Sequence, residues 1–488
     1  MIFSVSSLAT YVSSPATDVS KPATTFSAAK IQKSIEWKKV LSGNVINFIP
    51  YYIYGSRPEK HFCHFVWKSQ KVFVTLPSNN DEDSNGQVAG HIYKRHRNIN
   101  NLNMISDTIK YIGVDDLDID LFESQYVVPE GMSYNSYLID DEKIAVMDTA
   151  DRRKVEEWKE NLAAALNGRQ PDYLVVHHIE PDHSALIAWM LETYPGLQLV
   201  CSAQAVKMLP NFFEGFNFEG RVITVKEGDS LALGQHTLQF LSAAMVHWPE
   251  VIMSYDSKDK VLFSADGFGK FGALVNETDD WACEARRYYF NICGKYGTQV
   301  QGVVKKMAAL DIQTICPLHG PVLKGEALAE AVKLYDTWSK YEPESEGVLV
   351  AFASIHGGTA AAAERLGEIL REKGAKKVVV SDLSREDMAE VIEDAFRYPT
   401  IVVAASSYDA GVFPVMHDFL YHLQIKNYQK RKFGIIENGS WAPSAGRVMR
   451  TMIEAMKDCE IVEPMVTIRS RMKAGDEALL EQLADSLI

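Results

Sequence analysis

Between Leu174 and Ser184 the chain reads LVVHHIEPDHS, placing three histidines, a glutamate and an aspartate directly after an apolar run. In an extended segment side chains two apart point the same way. His178, Glu180 and Asp182 can therefore share one side where a buried strand gives way to a loop, and His183 stands at the start of the next helix. Carboxylates beside histidines after a buried strand are costly unless a cation neutralises them. The pattern is read as a metal site, with His177, one residue out of step, left as structural.

Three further candidates end apolar stretches: His247 in AAMVHWPEV, Asp266 in VLFSADGFG and His319 in CPLHGPV. Ligands at strand ends along one sheet edge are how a site is assembled from distant sequence. Four histidines, two aspartates and a glutamate exceed the needs of one ion and suit two metals bridged by a carboxylate. Nitrogen and oxygen ligands without thiolate fit iron, manganese or zinc alike. The six cysteines are scattered with no CxxC pair, which argues against an iron-sulfur or rubredoxin-type centre and for reduced thiols in a reducing compartment.

A second constellation lies downstream. In SIHGGT, Ser354, Thr359 and the amides around Gly357 and Gly358 can wrap a phosphate at a helix N-terminus, with His356 between them. ASSYDAGVFP offers Ser406, Tyr408, Asp409 and Gly411, and IENGSWAPSAG offers Asn438, Gly439, Ser440 and Trp441. Neither GxGxxG nor GxxxxGK[ST] is present, so a dinucleotide or a triphosphate is not favoured. Ser, Gly and Thr also make ordinary turns. Three such loops on the carboxyl edge of one sheet, with aromatics able to stack on a planar ring, point to a mononucleotide at a switch point.

The elements that must position these groups fall into three zones. Residues 1–103 begin Ser/Thr/Ala-rich and carry 12 Lys/Arg against 6 Asp/Glu, a surplus of +6 that leaves −20 on the rest of a chain of net charge −14. Such a shift marks a boundary. This zone reads as a poorly ordered extension or, if translation begins at Met104, as no part of the protein; Asp18 and the lack of arginine before Arg57 argue against a transit peptide. From 104 to 345 short strands such as KIAVMDT and DYLVVHHI alternate with the helical patterns RRKVEEWKENLAAAL and HSALIAWMLETYP. From 346 to 488 strand and helix alternate strictly, through GVLVAFAS, GGTAAAAERLGEILREKG and AKKVVVSDL, which predicts a doubly wound parallel sheet.

His-x-Glu-x-Asp-His followed by His, Asp and His resembles the ligand order of flavodiiron proteins (A-type flavoproteins). Zinc hydrolases of the same fold usually carry histidine where this chain has Glu180, and a harder oxygen ligand favours a redox-active iron pair. The resemblance implies an α/β protein: a metallo-β-lactamase-like αββα sandwich over 104–345, then a flavodoxin-like sheet over 346–488 that binds FMN. It implies one iron on His178, Glu180 and His247, another on Asp182, His183 and His319, and Asp266 as bridge, with His183 either ligand or neighbour. Flavodoxins often have an aromatic and an asparagine where this chain has His356 and Gly358.

By the same resemblance the protein is an oxidoreductase that reduces dioxygen to water, nitric oxide to nitrous oxide, or both. The alternative is a zinc hydrolase with an accessory flavodoxin-like domain. A separate donor, rubredoxin or a flavin reductase, is expected, as is a head-to-tail homodimer or dimer of dimers that brings one subunit's FMN beside the other's irons. The acidic balance excludes a nucleic-acid binder, no apolar run has the length of a membrane span, and cytoplasm is the default location. Substrate preference is not legible, because it depends on groups around the open metal positions.

Overall fold

In the computed structural model the chain divides into two compact units, Met1–Lys94 and Arg95–Ile488. The structure describes residues 104–488 apart from Asp279, together with the backbone of two short strands in the first unit. Those strands, Phe62–Trp67 and Gln70–Thr75, pair antiparallel, Phe62 opposite Thr75. The expectations for residues 1–103 otherwise fall outside the described residues.

The second unit opens with two six-stranded sheets. One runs in the order Val222–Val225, Gln198–Ser202, Tyr173–Val175, Ala145–Met147, Tyr137–Ile139, Ile109–Tyr111. The other runs Ser230–Ala232, Thr237–Ser242, Ile252–Asp256, Val261–Phe263, Thr314–Cys316, Leu323–Lys324. Strand side chains alternate between faces. Tyr173, Val175, Ala145 and Met147 accordingly meet Phe240, Ile252, Phe263 and Cys316 in a core between the sheets. Leu174 and Val146 face the other way, toward the helix Val155–Leu166, which buries Trp158, Leu162 and Leu166 along one stripe.

The segment HSALIAWMLETYP, expected as one helix, is two: Pro181–Ser184 and Ile187–Thr193. Pro181 at the first helical turn starts the short helix one residue after Glu180, so the candidate ligands sit on the strand-to-helix turn itself.

From Val348 the strands form a parallel sheet in the order Val378–Asp382, Val348–Ala353, Thr400–Tyr408, Lys432–Asn438, Glu460–Ile461, with Val466–Ile468 also pairing along Lys432–Asn438. In sequence terms this is 2-1-3-4-5, the flavodoxin-like winding. The helix Trp281–Ile292 joins the halves. Its Phe290 stacks on Phe396 with centroids 4.2 Å apart, while Arg286 donates to Glu393 at 3.3 and 3.4 Å and Arg287 to Asp387 at 2.6 Å. Among the described residues no helix is long and apolar enough to cross a membrane.

Candidate metal centre and nucleotide cavity

The seven candidate ligands come together from strand ends as two groups. His178, Glu180, His247 and Asp266 form one; Asp182, His183 and His319 form the other. Asp266, fully buried, faces both. Its Oδ2 lies 3.3 Å from His178 Nε2 and 3.2 Å from His247 Nε2, and its Oδ1 lies 3.4 Å from His183 Nε2 and 3.8 Å from His319 Nε2. Glu180 Oε2 stands 3.1 Å from His178 Nε2 and 3.0 Å from His247 Nε2, and Asp182 Oδ2 lies 3.3 Å from His183 Nε2 and 3.4 Å from His319 Nε2.

Two ring orientations are fixed from behind. His178 Nδ1 lies 2.7 Å from Glu250 Oε1, and His319 Nδ1 lies 2.7 Å from the Ser133 carbonyl. Both partners only accept, so each Nδ1 carries a proton and each Nε2 is aimed into the site. Neither Glu250 nor Ser133 was anticipated from sequence. Glu250 stands three residues after His247, but a carboxylate that orients a ligand has no spacing rule of its own. His177 lies apart, its Nδ1 2.5 Å from Asp148 Oδ2 and its Nε2 2.8 Å from Ser254 Oγ, which agrees with a structural histidine.

The residues fit cations. Both oxygens of Asp182, Oδ1 of Asp266 and Nδ1 of His183 are buried without a hydrogen-bond partner. Burial opposes charge on His178, yet Asp266, Glu180 and Glu250 outweigh it and raise its pKa well above the ordinary value. His247 is likewise raised to about 9 against its burial, by Asp266 and Glu180. Burial alone would raise the Asp266 carboxyl, but His178 and His183 pull it well below the usual range. Such a cluster demands positive charge, and cations at the imidazole Nε2 atoms satisfy it in place of protons.

The second site is a cavity of about 1250 Å³ at the carboxyl edge of the parallel sheet. His356, Gly357, Gly358, Thr359, Ser406, Tyr408, Asp409, Asn438, Gly439, Ser440 and Trp441 line it. Ser354 and Gly411, expected with them, do not. Ser354 Oγ turns back to accept the Gly357 N–H at 3.1 Å, and Gly411 pairs with Tyr408 in a short antiparallel bridge. Gly357 holds φ 82°, which a side chain strains to adopt, and opens the helix Gly358–Glu372. Trp441 is 88% exposed.

The cavity has a fourth wall, Ser470, Arg471 and Met472, together with Arg447 and Ser444. Asn438 fixes this wall: its Oδ1 accepts the Ser470 N–H at 2.9 Å and its Nδ2 donates to the Ser470 carbonyl at 3.1 Å. The strand end after Val466–Ile468 was the available signal, on the same edge as the other three loops.

Residues 132–320 match the family model described as ODP family beta lactamase. The chain is 26% identical over 390 residues to an anaerobic nitric oxide reductase flavorubredoxin of Vibrio vulnificus, covering 77% of each. Its fold superposes with TM-score 0.74 on rubredoxin oxygen:oxidoreductase of Desulfovibrio gigas, at 24% identity, over 79% of this chain and 97% of that one. A flavodiiron protein of Giardia intestinalis gives TM-score 0.72 at 24% identity, over 79% and 94%. Together these likenesses support a flavodiiron protein. The two halves of the chain carry the candidate ligand cluster and the cavity respectively.

Proposed function

We propose that this is a flavodiiron protein that reduces dioxygen to water, nitric oxide to nitrous oxide, or both, using FMN in the cavity and two irons in the ligand cluster. The observation that carries the reading is Asp266, whose two oxygens face two separate ligand groups, on a chain that also has a mononucleotide cavity. One iron would lie on His178, Glu180 and His247, the other on Asp182, His183 and His319, with Asp266 between them. When bound, the flavin and the irons supply the stored electrons that reduction of a diatomic gas requires.

The protein's own residues do the positioning. Glu250 and Ser133 hold their imidazoles with Nε2 inward, so the site keeps its shape as charge changes. Phe122 and Tyr288 pack on His319 with centroids 5.3 and 5.7 Å away, and Trp248 stands 5.1 Å from His178. These rings pack against the imidazoles and hold them in place. Glu180, an oxygen ligand, favours iron over the zinc of a hydrolase. In the cavity, the helix start at Gly358 would offer backbone N–H groups to a phosphate, the Gly357 N–H being taken by Ser354, and Tyr408 and Trp441 would offer faces for the ring.

The relatives' names give both gases, nitric oxide for the Vibrio protein and oxygen with rubredoxin for the Desulfovibrio one. For this chain we infer an external donor of the rubredoxin or flavin-reductase type. A head-to-tail homodimer, or a dimer of dimers, would bring one subunit's cavity to the other's ligand cluster. Metal and flavin analysis of the purified protein tests the first step, with about two irons and one FMN per chain expected. Zinc without flavin overturns it. Anaerobic consumption of each gas, driven by reduced rubredoxin, then assigns the substrate.

A further inference from the structure

A small hairpin borders the ligand cluster. Leu121–Phe122 pairs antiparallel with Tyr126–Val127, Phe122 opposite Tyr126, in a two-stranded sheet of their own. Its inner face is Phe122 and Tyr126, both buried, and its outer face is Leu121 and Val127, both exposed. Phe122 packs edge-on against His319 with centroids 5.3 Å apart, and both inner rings meet Phe271. The hairpin therefore lies between a proposed iron ligand and solvent. At its tip Glu123 and Ser124 hold left-handed backbone, φ 48° and 58°, which such residues keep only where their surroundings impose it.

A hairpin of two strands is marginally stable by itself, so whatever fixes it sets how often it opens. Two bonds do so from the helix Trp281–Ile292. The Tyr126 hydroxyl donates to the Asn291 carbonyl at 3.1 Å, and Arg287 Nη2 donates to the Val127 carbonyl at 2.6 Å. The same Nη2 donates to Asp387 Oδ2 at 2.6 Å, and Asp387 is the N-cap of the helix Met388–Arg397 in the parallel-sheet half. The guanidinium is buried, stands over the Phe271 ring at 4.9 Å, and has Glu284 at 3.1 Å and Glu390 at 3.2 Å beside it. One arginine thus touches the hairpin, the ring beneath the hairpin and the parallel-sheet half.

We propose that Arg287 is a positioning residue, the latch through which the parallel-sheet half holds this hairpin closed over the ligand cluster and so limits entry of small molecules to it. The two hydrogens of Nη2 serve the two acceptors while the planar guanidinium lies on the ring, a combination that an ammonium on a flexible stem does not reproduce. Without Asp387 the guanidinium is drawn toward Glu284 and Glu390, and its hold on Val127 weakens. The latch stands on contacts within this chain, and only its meaning for the reaction rests on the di-iron reading.

The test is amide hydrogen exchange of the full chain, followed at the hairpin, whose base is closed by the Val128 N–H donating to the Asp120 carbonyl at 3.2 Å. Arg287→Lys is expected to speed exchange there by about tenfold, the effect of one lost charge-assisted hydrogen bond on a local opening. Asp387→Ser keeps a capping hydroxyl but is too short to reach the guanidinium. It is expected to speed hairpin exchange from the other half of the chain, and it keeps the test decisive if Arg287→Lys does not fold. The strand Tyr173–Val175 is expected to exchange as in wild type. In metal-loaded protein, stopped-flow binding of azide to the centre is expected to quicken in step with hairpin exchange. Unchanged hairpin exchange in Asp387→Ser, faster exchange spread equally over the sheets, or azide binding that stays at the wild-type rate overturns the proposal. Protein that takes up no metal refutes the di-iron reading instead, and the exchange comparison then decides the latch alone.

Discussion

His183 Nε2 and His319 Nε2 lie 3.0 Å apart, both rings buried, with planes inclined at 57°. Since Ser133 holds the proton of His319 on Nδ1, its Nε2 offers a lone pair toward His183. Either His183 donates a proton to it, or a cation takes both lone pairs with Asp182 beside them. The unpartnered oxygens of Asp182 favour the cation.

Removing one member of this pair should empty one metal position and spare the other. His319→Ala is expected to lower iron from about two to about one per chain, because His178, Glu180 and His247 are untouched. The measurement is elemental analysis of the purified variant. Two irons retained would show that the second group does not hold metal.

Glu250 reaches the cluster through His178, and its carboxylate also accepts the Ile179 N–H at 3.1 Å, so its loss should show in affinity and not in the ligand count. Glu250→Gln is expected to weaken iron binding at the first position by about 10–100-fold, the usual effect of removing a carboxylate that orients a ligating histidine. Chelator-competition titration reads this directly.

Gly358 has no room for a side chain. A Cβ there would stand 2.0 Å from the Ser470 carbonyl oxygen, and that loop is already fixed by Asn438. Gly358→Ala should therefore push the phosphate loop and the fourth wall apart and weaken FMN binding by about tenfold or more, a loss of ~1.4 kcal/mol. Quenching of FMN fluorescence on titration into flavin-free protein measures it. An unchanged dissociation constant would mean that the phosphate is not held by this loop.

Lys426 gives a pH-dependent prediction. Its side chain is 8% exposed and donates to the Asn291 carbonyl at 2.8 Å, across the junction of the two halves. Burial lowers its pKa from 10.5 to about 8, against partial compensation from Glu123 and Cys293. A lysine with a depressed folded pKa destabilises the fold fully below pH 8, and this cost fades as pH rises from 8 to 10.5. Lys426→Met should thus be more stable than wild type at neutral pH, by on the order of 1–3 kcal/mol, with the advantage closing toward pH 10.5. The Asn291 carbonyl keeps the Tyr126 hydroxyl at 3.1 Å, so no acceptor is orphaned. Thermal melts across that range decide it.

Much of this protein was legible before any coordinates, because its candidate ligands end apolar strands and strand ends are marked locally. HHIEPDH announces itself through residue density after DYLVV, and the strict alternation after Gly347 suffices to predict a parallel sheet. The sequence alone nominated the seven candidate ligands and three of the loops that line the cavity.

Only the tertiary structure decided how those groups meet. That the two oxygens of Asp266 face different histidine pairs depends on four strand ends converging, which no local pattern encodes. Glu250, Ser133 and Ser470 escaped the sequence for the same reason: they act by hydrogen bonds to partners 72, 186 and 32 residues away. Conversely, Ser354 looked suited to a phosphate but is drawn into its own turn, since a hydroxyl three residues before an unpaired N–H satisfies it locally. Residue type and spacing record what chemistry is available. The direction in which each lone pair points is set by the packing of segments far apart in the chain.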